Sequence, residues 1–359
     1  MKMRGGWQIL CSCGLHHGLR FMLRRNVLIL MYHGFLAHED GGELGPYLFN
    51  DVTAGRFEEQ LCYLKKYYHP VSLMDVVAAS EGKKTLPPYA VVLTFDDGYA
   101  SNYEQAFPLL KKYHVPATVF VTTAFLDRKI ALWSSRLAYS FARTQKERLK
   151  VMFGAQEFDR PIRTPRERLS AYVAIKTFLK NIHQEQREGL IIPVEAALGV
   201  ALVPGDEMPA FFQPLSWAQA REMAASDLVT IGSHTHEHFI LGRTSVQEAR
   251  RQLSLSKERI EAETGRPCIL FCYPNGDEGD FSDTTSALVQ EAGYCCALTT
   301  VPGHNDPARG LFTLKRMVVD RGMDLAYFKM HIVMVRQVLL RLKKKLAYVM
   351  GKVVHARRR

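Results

Sequence analysis

Two carboxylates stand side by side at Asp96 and Asp97, after the apolar run Val91–Phe95 and directly before Gly98. In a strand, neighbouring side chains point to opposite faces. Where the strand runs into a glycine turn, both can swing toward one cleft, and two such groups can divide their labour between holding a metal and moving a proton. A second group is His234-Thr235-His236-Glu237-His238. A helical turn here would put His234 and His238 on one face and His236 on the other, and a four-residue spacing suits a metal ion. One carboxylate with two imidazoles makes a three-ligand set with open positions, which is the catalytic rather than the structural pattern. Taken singly, the first group also reads as an acidic turn and the second as a solvent-exposed histidine cluster.

Position links the two groups, because each follows an apolar run. Val27–Tyr32 reads as a buried strand ending on His33-Gly34, and Val91–Phe95 as another ending on the paired carboxylates. Helices are expected over 6–25, 56–68, 102–114, 246–264 and 284–292, with strands over 117–122, 228–231, 269–273, 294–299 and 311–319. Strand, helix and strand at these lengths make parallel β/α units, and barrels of such units keep their chemistry at the carboxyl ends of strands. Residues 127–214 break the rhythm. They are charged, rich in proline and helix-favouring, with 166–180 the clearest helix, and read as a helical insertion or lid. Trp133, near its start, reads as core or as a cleft wall.

On these residues the chain resembles the polysaccharide deacetylases of carbohydrate esterase family four. Thr94-Phe95-Asp96-Asp97-Gly98 is similar to the family's first motif, His234–His238 to its second, and Phe271-Cys272-Tyr273-Pro274-Asn275-Gly276 to a variant of its third. The resemblance covers about residues 27–320. It implies an α/β fold, a distorted (β/α) barrel of about seven strands with a helical insertion. It implies Asp97, His234 and His238 as ligands of a divalent metal, with zinc the first choice and other first-row metals suited. It implies Asp96 as the base that takes a proton from metal-activated water, and Tyr273, Pro274 and Asn275 at the substrate, with an oxyanion contact from the backbone near Asn275. Two features depart from the family. Cys272 stands where an arginine usually orients the base, and Arg316 in the last strand is the candidate replacement. The family's C-terminal Leu-x-x-His motif, which supplies the acid, is absent after Ala292, while Leu30-Met31-Tyr32-His33 fits it at the other end of the chain. First and last strands of a closed barrel are neighbours, so a permuted arrangement makes His33 the acid. The implied activity is removal of N-acetyl groups from the sugars of a polysaccharide or its lipid-linked precursor, as in exopolysaccharide biosynthesis. An amidase acting on a small non-sugar C–N amide and an inactive glycan-binding module are the alternatives.

Composition sets the outer bounds. The 359 residues are 47% hydrophobic, enough for one large domain with a sizeable core. The net charge is +11, yet ten lysines and arginines fall from Lys329 onward, where no Asp or Glu occurs, so the body is near neutral and no nucleic-acid partner is expected. Seven cysteines without framework spacing favour a reducing compartment. Neither a secretory signal nor a spanning helix is expected. Ile332, Val335, Leu339, Leu342, Leu346, Val349 and Val353 recur as one helical stripe among basic residues, which suits an anionic membrane surface. The expected organisation is an N-terminal helical segment (1–26), a catalytic domain (27–325) and a basic amphipathic tail (326–359). The expected location is the cytoplasm, peripheral to the inner face of the membrane.

Overall fold

The structure, a computed structural model, describes residue 11 and residues 14–38, 42–48, 50–205 and 208–335. Twelve strands occur among these: β1 Leu28–Tyr32, β2 Phe35–Leu36, β3 Val52–Thr53, β4 His69–Pro70, β5 Ala90–Phe95, β6 Ala117–Val121, β7 Arg148–Phe153, β8 Gln156–Pro161, β9 Val229–Ser233, β10 Leu270–Cys272, β11 Cys296–Leu298 and β12 Met317–Val318. The central sheet has the order β11-β10-β9-β6-β5-β1-β12, with β4 added at the start of β5. Every pairing in it is parallel. From β1 to β11 the strands of this path lie in chain order, and the last, β12, lies on the other side of β1. The two outer members approach each other through a parallel bridge between Leu298 and Leu314, supported by backbone bonds from Leu314 and Thr299. The result is the distorted seven-stranded α/β barrel expected from the sequence.

The apolar runs become strands because both of their faces are covered. All residues of β1, β5 and β6 are buried, as parallel strands flanked by helices must be. Helix Ala54–Tyr67 buries Phe57, Leu61 and Leu64, the face predicted from spacing. Helix Trp217–Ala225 starts with a capping box between Ser216 and Gln219, and helix Val246–Thr264 stops at Gly265 in the left-handed region. The segment 102–114 begins with a π-helical turn before helix Phe107–Tyr113, whereas the sequence pattern suggested one continuous helix.

Two expectations change. The insertion is not wholly helical: between helix Trp133–Arg143 and helices Pro165–Lys180 and Gln184–Leu198 lies the antiparallel hairpin β7–β8. Leu149 and Val151 face inward, alternating with exposed Arg148 and Lys150, and Lys150 pairs across the hairpin with Glu157 at 2.8 Å. That period-two pattern overrides the helix-favouring composition. The tail also does not begin at 326 as a separate element. Helix Leu325–Ile332 is capped by Asp324, and Phe328, Ile332 and Val335 are buried, with the Phe328 ring 6.2 Å from that of Tyr63. The first two members of the stripe thus belong to the body. The remaining members, from Leu339 on, and the start of the predicted 6–25 helix lie outside the described residues.

Candidate active site

Strand register brings the first residues of the site together. β1 and β5 pair with Tyr32 beside Phe95, and the ladder continues as the Asp96 N–H donates to the Tyr32 carbonyl at 3.0 Å. His33 and Asp96 therefore emerge next to each other at the carboxyl rim. Asp97 and Gly98 both take positive φ, 76° and 87°. That turn brings both carboxylates to one cleft. Gly98 is required there, because a Cβ would lie 2.9 Å from Leu126 Cδ1 and 3.1 Å from Val121 Cγ1.

From β9, His234 follows directly on the strand, and His238 returns after a loop with positive φ at Thr235 and His238. The predicted helical turn is absent; the loop, not a helix face, brings the imidazoles together, their ring centres 5.0 Å apart. His236 points away and meets Thr123 Oγ1 at 2.7 Å. Nε2 of His234 and of His238 lie 3.6 and 3.3 Å from Asp97 Oδ1. His234 Nδ1 faces the Cys272 carbonyl at 2.8 Å, so Nδ1 carries the proton and the Nε2 lone pair faces Asp97. Burial lowers the His234 pKa to about 4, against the pull of Asp96, so the imidazole is neutral at physiological pH. Burial opposes the charge of Asp97, but its contact with His238 outweighs burial and holds its carboxyl well below the usual range. Asp97 Oδ1 has no hydrogen-bond partner. A carboxylate oxygen and a neutral imidazole nitrogen, both acceptors, face each other without a donor between them. A divalent cation fits that donor set.

Asp96 is held differently. Arg316 Nη1 and Nη2 donate to its Oδ1 and Oδ2, both at 2.7 Å. The remaining Arg316 donors reach the Thr299 carbonyl (2.8 Å), Thr94 Oγ1 (3.1 Å) and Cys272 Sγ (2.9 Å). Burial opposes the charge of Asp96, and the Arg316 guanidinium outweighs it, keeping the carboxyl below its ordinary value. Asp96, His234 and Cys272 also lie close enough to form a donor cluster. Arg316 already occupies both Asp96 oxygens, and burial pushes the Cys272 thiol far up, so the Asp97, His234 and His238 set is the better metal site.

These residues open into a cleft of about 430 Å³, lined also by His33 and Asn275. Asn275 sits at φ 60° beside Gly276. Tyr273 and Pro274 do not line the cleft. Tyr273 is 1% exposed, stacks on Phe281 and bonds Ser286 through its hydroxyl. Other lining residues carry no motif. Asp51, from the loop before β3, accepts the Gly34 N–H at 2.9 Å. Burial raises its pKa to about 6, with His33 pulling it back. The insertion contributes Trp133, which does line the cleft, and Tyr172, Lys176 and Lys180. The last three recur every four residues on one helix, a spacing visible in the sequence though not its destination.

A family model described as polysaccharide deacetylase matches residues 83–297. Over 100 residues the chain is 40% identical to the poly-beta-1,6-N-acetyl-D-glucosamine N-deacetylase of Escherichia coli, which covers 27% of this chain and 15% of that protein. Over 118 residues it is 27% identical to the putative polysaccharide deacetylase YxkH of Bacillus subtilis, covering 33% of this chain and 41% of that protein. The chain thus spans less than half the length of either relative. Among solved structures, Streptococcus pyogenes deacetylase PplD in complex with acetate superposes with a TM-score of 0.57 at 20% identity, covering 86% of this chain and 98% of that one. A de-N-acetylase from Aggregatibacter actinomycetemcomitans gives 0.56 at 20% identity over 85% and 98%. At such identities the likeness is one of fold.

Proposed function

The chain belongs to the polysaccharide deacetylase family, and from that premise we propose that it removes N-acetyl groups from sugar units of a polysaccharide or its lipid-linked precursor. The observation that carries this reading is the facing of Asp97 Oδ1 by the His234 and His238 Nε2 atoms, beside an Asp96 that Arg316 keeps ionised. A divalent cation held by Asp97, His234 and His238, zinc first among the choices, would polarise the acetamide carbonyl and activate water. Asp96 takes the proton of the water that adds to the carbonyl carbon, and Arg316 holds it on line and ionised. As the C–N bond breaks, its electron pair passes to nitrogen, and His33 gives that nitrogen a proton. Acetate and an amino sugar leave. Asn275, which lines the cleft, is assigned the contact with the carbonyl oxygen.

Acetate release from N-acetylhexosamine oligomers, with and without a chelator, tests the reading. Release that the chelator abolishes is expected; no release from any acetylated glycan refutes it. Asp97→Ala, His234→Ala and His238→Ala should each lose metal by elemental analysis while remaining folded. Asp96→Asn should retain metal and lose about 10²-fold or more in kcat, because a base is removed and no ligand is. Full metal occupancy in the first three variants, or metal loss in the fourth, would reassign the carboxylates. The basic residues from Arg336 onward, outside the described residues, are part of the proposal as a contact with anionic lipid on the cytoplasmic side.

A further inference from the structure

The barrel strands all run one way, so His33, Asp96, Asp97 and His234 gather at their carboxyl ends. Helix Leu15–Met22 lies at the opposite end. The Tyr89 N–H, one residue before β5 begins, donates to the Arg24 carbonyl at 2.7 Å. The Arg20 guanidinium lies 5.0 Å from the Tyr67 ring and 5.1 Å from that of Tyr89. His16 is buried against the body, whereas Leu15, Phe21 and Met22 are 40%, 57% and 74% exposed. Every other exposed large hydrophobic among the described residues stands alone in sequence. Cations lie on this helix end and on the elements packed beside the helix. Arg24 lies 4.0 Å over the Phe21 ring, Arg25 is exposed, Lys66 closes helix Ala54–Tyr67, and Lys329 lies 5.0 Å from the Tyr63 ring. None of these four has a carboxylate within ion-pair distance among the described residues, and no Asp or Glu precedes Glu39. His16 and His17 share a groove with Ala326 and Lys329, so the last described helix sits beside the first. Among the described residues, no helix is long and apolar enough to cross a membrane.

We propose that this face, with Phe21 and Met22 at its centre and Arg24, Arg25, Lys66 and Lys329 around it, rests on an anionic lipid surface and holds the barrel with its cleft directed away from the bilayer. Exposed aromatic and thioether side chains enter the headgroup boundary, and the flanking cations meet the lipid charge. The five residues of β1 alone put roughly 15 Å between this face and the catalytic rim. Resting on the deacetylase reading, this orientation selects as substrate an acetylated unit on a glycan that extends from the surface, in preference to the sugar beside a lipid headgroup.

The test uses the full chain and vesicles of phosphatidylcholine with and without phosphatidylglycerol. Wild type should sediment with anionic vesicles and release at high salt. Phe21→Ser with Met22→Ser should lower the bound fraction about tenfold at an unchanged melting temperature. Phe21→Trp should add fluorescence that brominated lipid quenches. An acetylated oligomer tethered to vesicles by a long spacer should be deacetylated faster than one on a short spacer. Equal binding by the double variant would overturn the inference and leave lipid contact to the tail. A fall in melting temperature without change in lipid binding would overturn it by showing that the chain's own segments cover the face. Loss of self-association in the double variant without loss of lipid binding would assign the face to a second copy. Lipid binding is read without turnover, so an inactive protein that still binds would refute the deacetylase reading and leave the membrane face standing.

Discussion

Asp96 and Asp97 are chemically alike, adjacent and both buried, and their neighbours alone set them apart. Asp96 receives two guanidinium N–H groups from Arg316, while Asp97 faces two imidazole nitrogens. The consequence for pH follows from the sign of each effect. Burial raises the Asp96 pKa and Arg316 lowers it further than burial raises it. The pair therefore adds stability above the ordinary carboxylate range, and that contribution is lost as pH falls through the depressed folded value. Arg316→Met removes the main group that opposes burial, so Asp96 protonates at higher pH. The acid limb of the kcat/KM profile should move upward and kcat at neutral pH should fall about 10²-fold, with metal content retained. An unshifted acid limb would show that something other than Arg316 keeps Asp96 ionised. Sequence spacing pointed to Asp96, Asp97, His234 and His238 because each group is compact. It left Arg316 only a candidate, because the residue that meets Asp96 lies 220 positions away and belongs to no motif.

At the scale of the element, glycine and loop geometry aim the site. Gly98→Ala should cost about 1–3 kcal/mol, because the new methyl meets Leu126 and Val121 at a backbone angle that disfavours a side chain. Its metal affinity should fall as well, since Asp97 would be displaced; titration of the apo variant beside a thermal melt checks both. The His234–His238 stretch shows how a correct pairing can rest on the wrong local structure. Four-residue spacing does bring the imidazoles together, but through left-handed residues at Thr235 and His238. The insertion carried two periods, alternation at 148–153 and a four-residue recurrence from Tyr172 to Lys180. Its charge and prolines obscured the first, and nothing local reveals that the second faces the cleft.

For the molecule as a whole, the closing helix Leu325–Ile332 packs onto the body and beside helix Leu15–Met22. Truncation after Asp324 would remove buried Phe328, Met330, Ile332 and Val333 and should lower the melting temperature by several degrees or abolish folding. Truncation after Val335 should leave both melting temperature and metal content at their full-length values. Equal melting of the two shortened proteins would show that this helix contributes nothing to the body. The sequence by itself determined the strand runs, the parallel β/α class, the two motif groups and the basic bias of the last residues. Each is a local property: apolar period, residue type and spacing within a few positions. Only the tertiary structure decided that Arg316 clamps Asp96, that Asp51 and the insertion line the cleft, that Tyr273 and Pro274 stay in the body, and that Phe21 and Met22 face outward at the far end. Those outcomes depend on how barrel closure and register bring distant segments together, and contacts between segments so far apart leave no periodic trace in the chain.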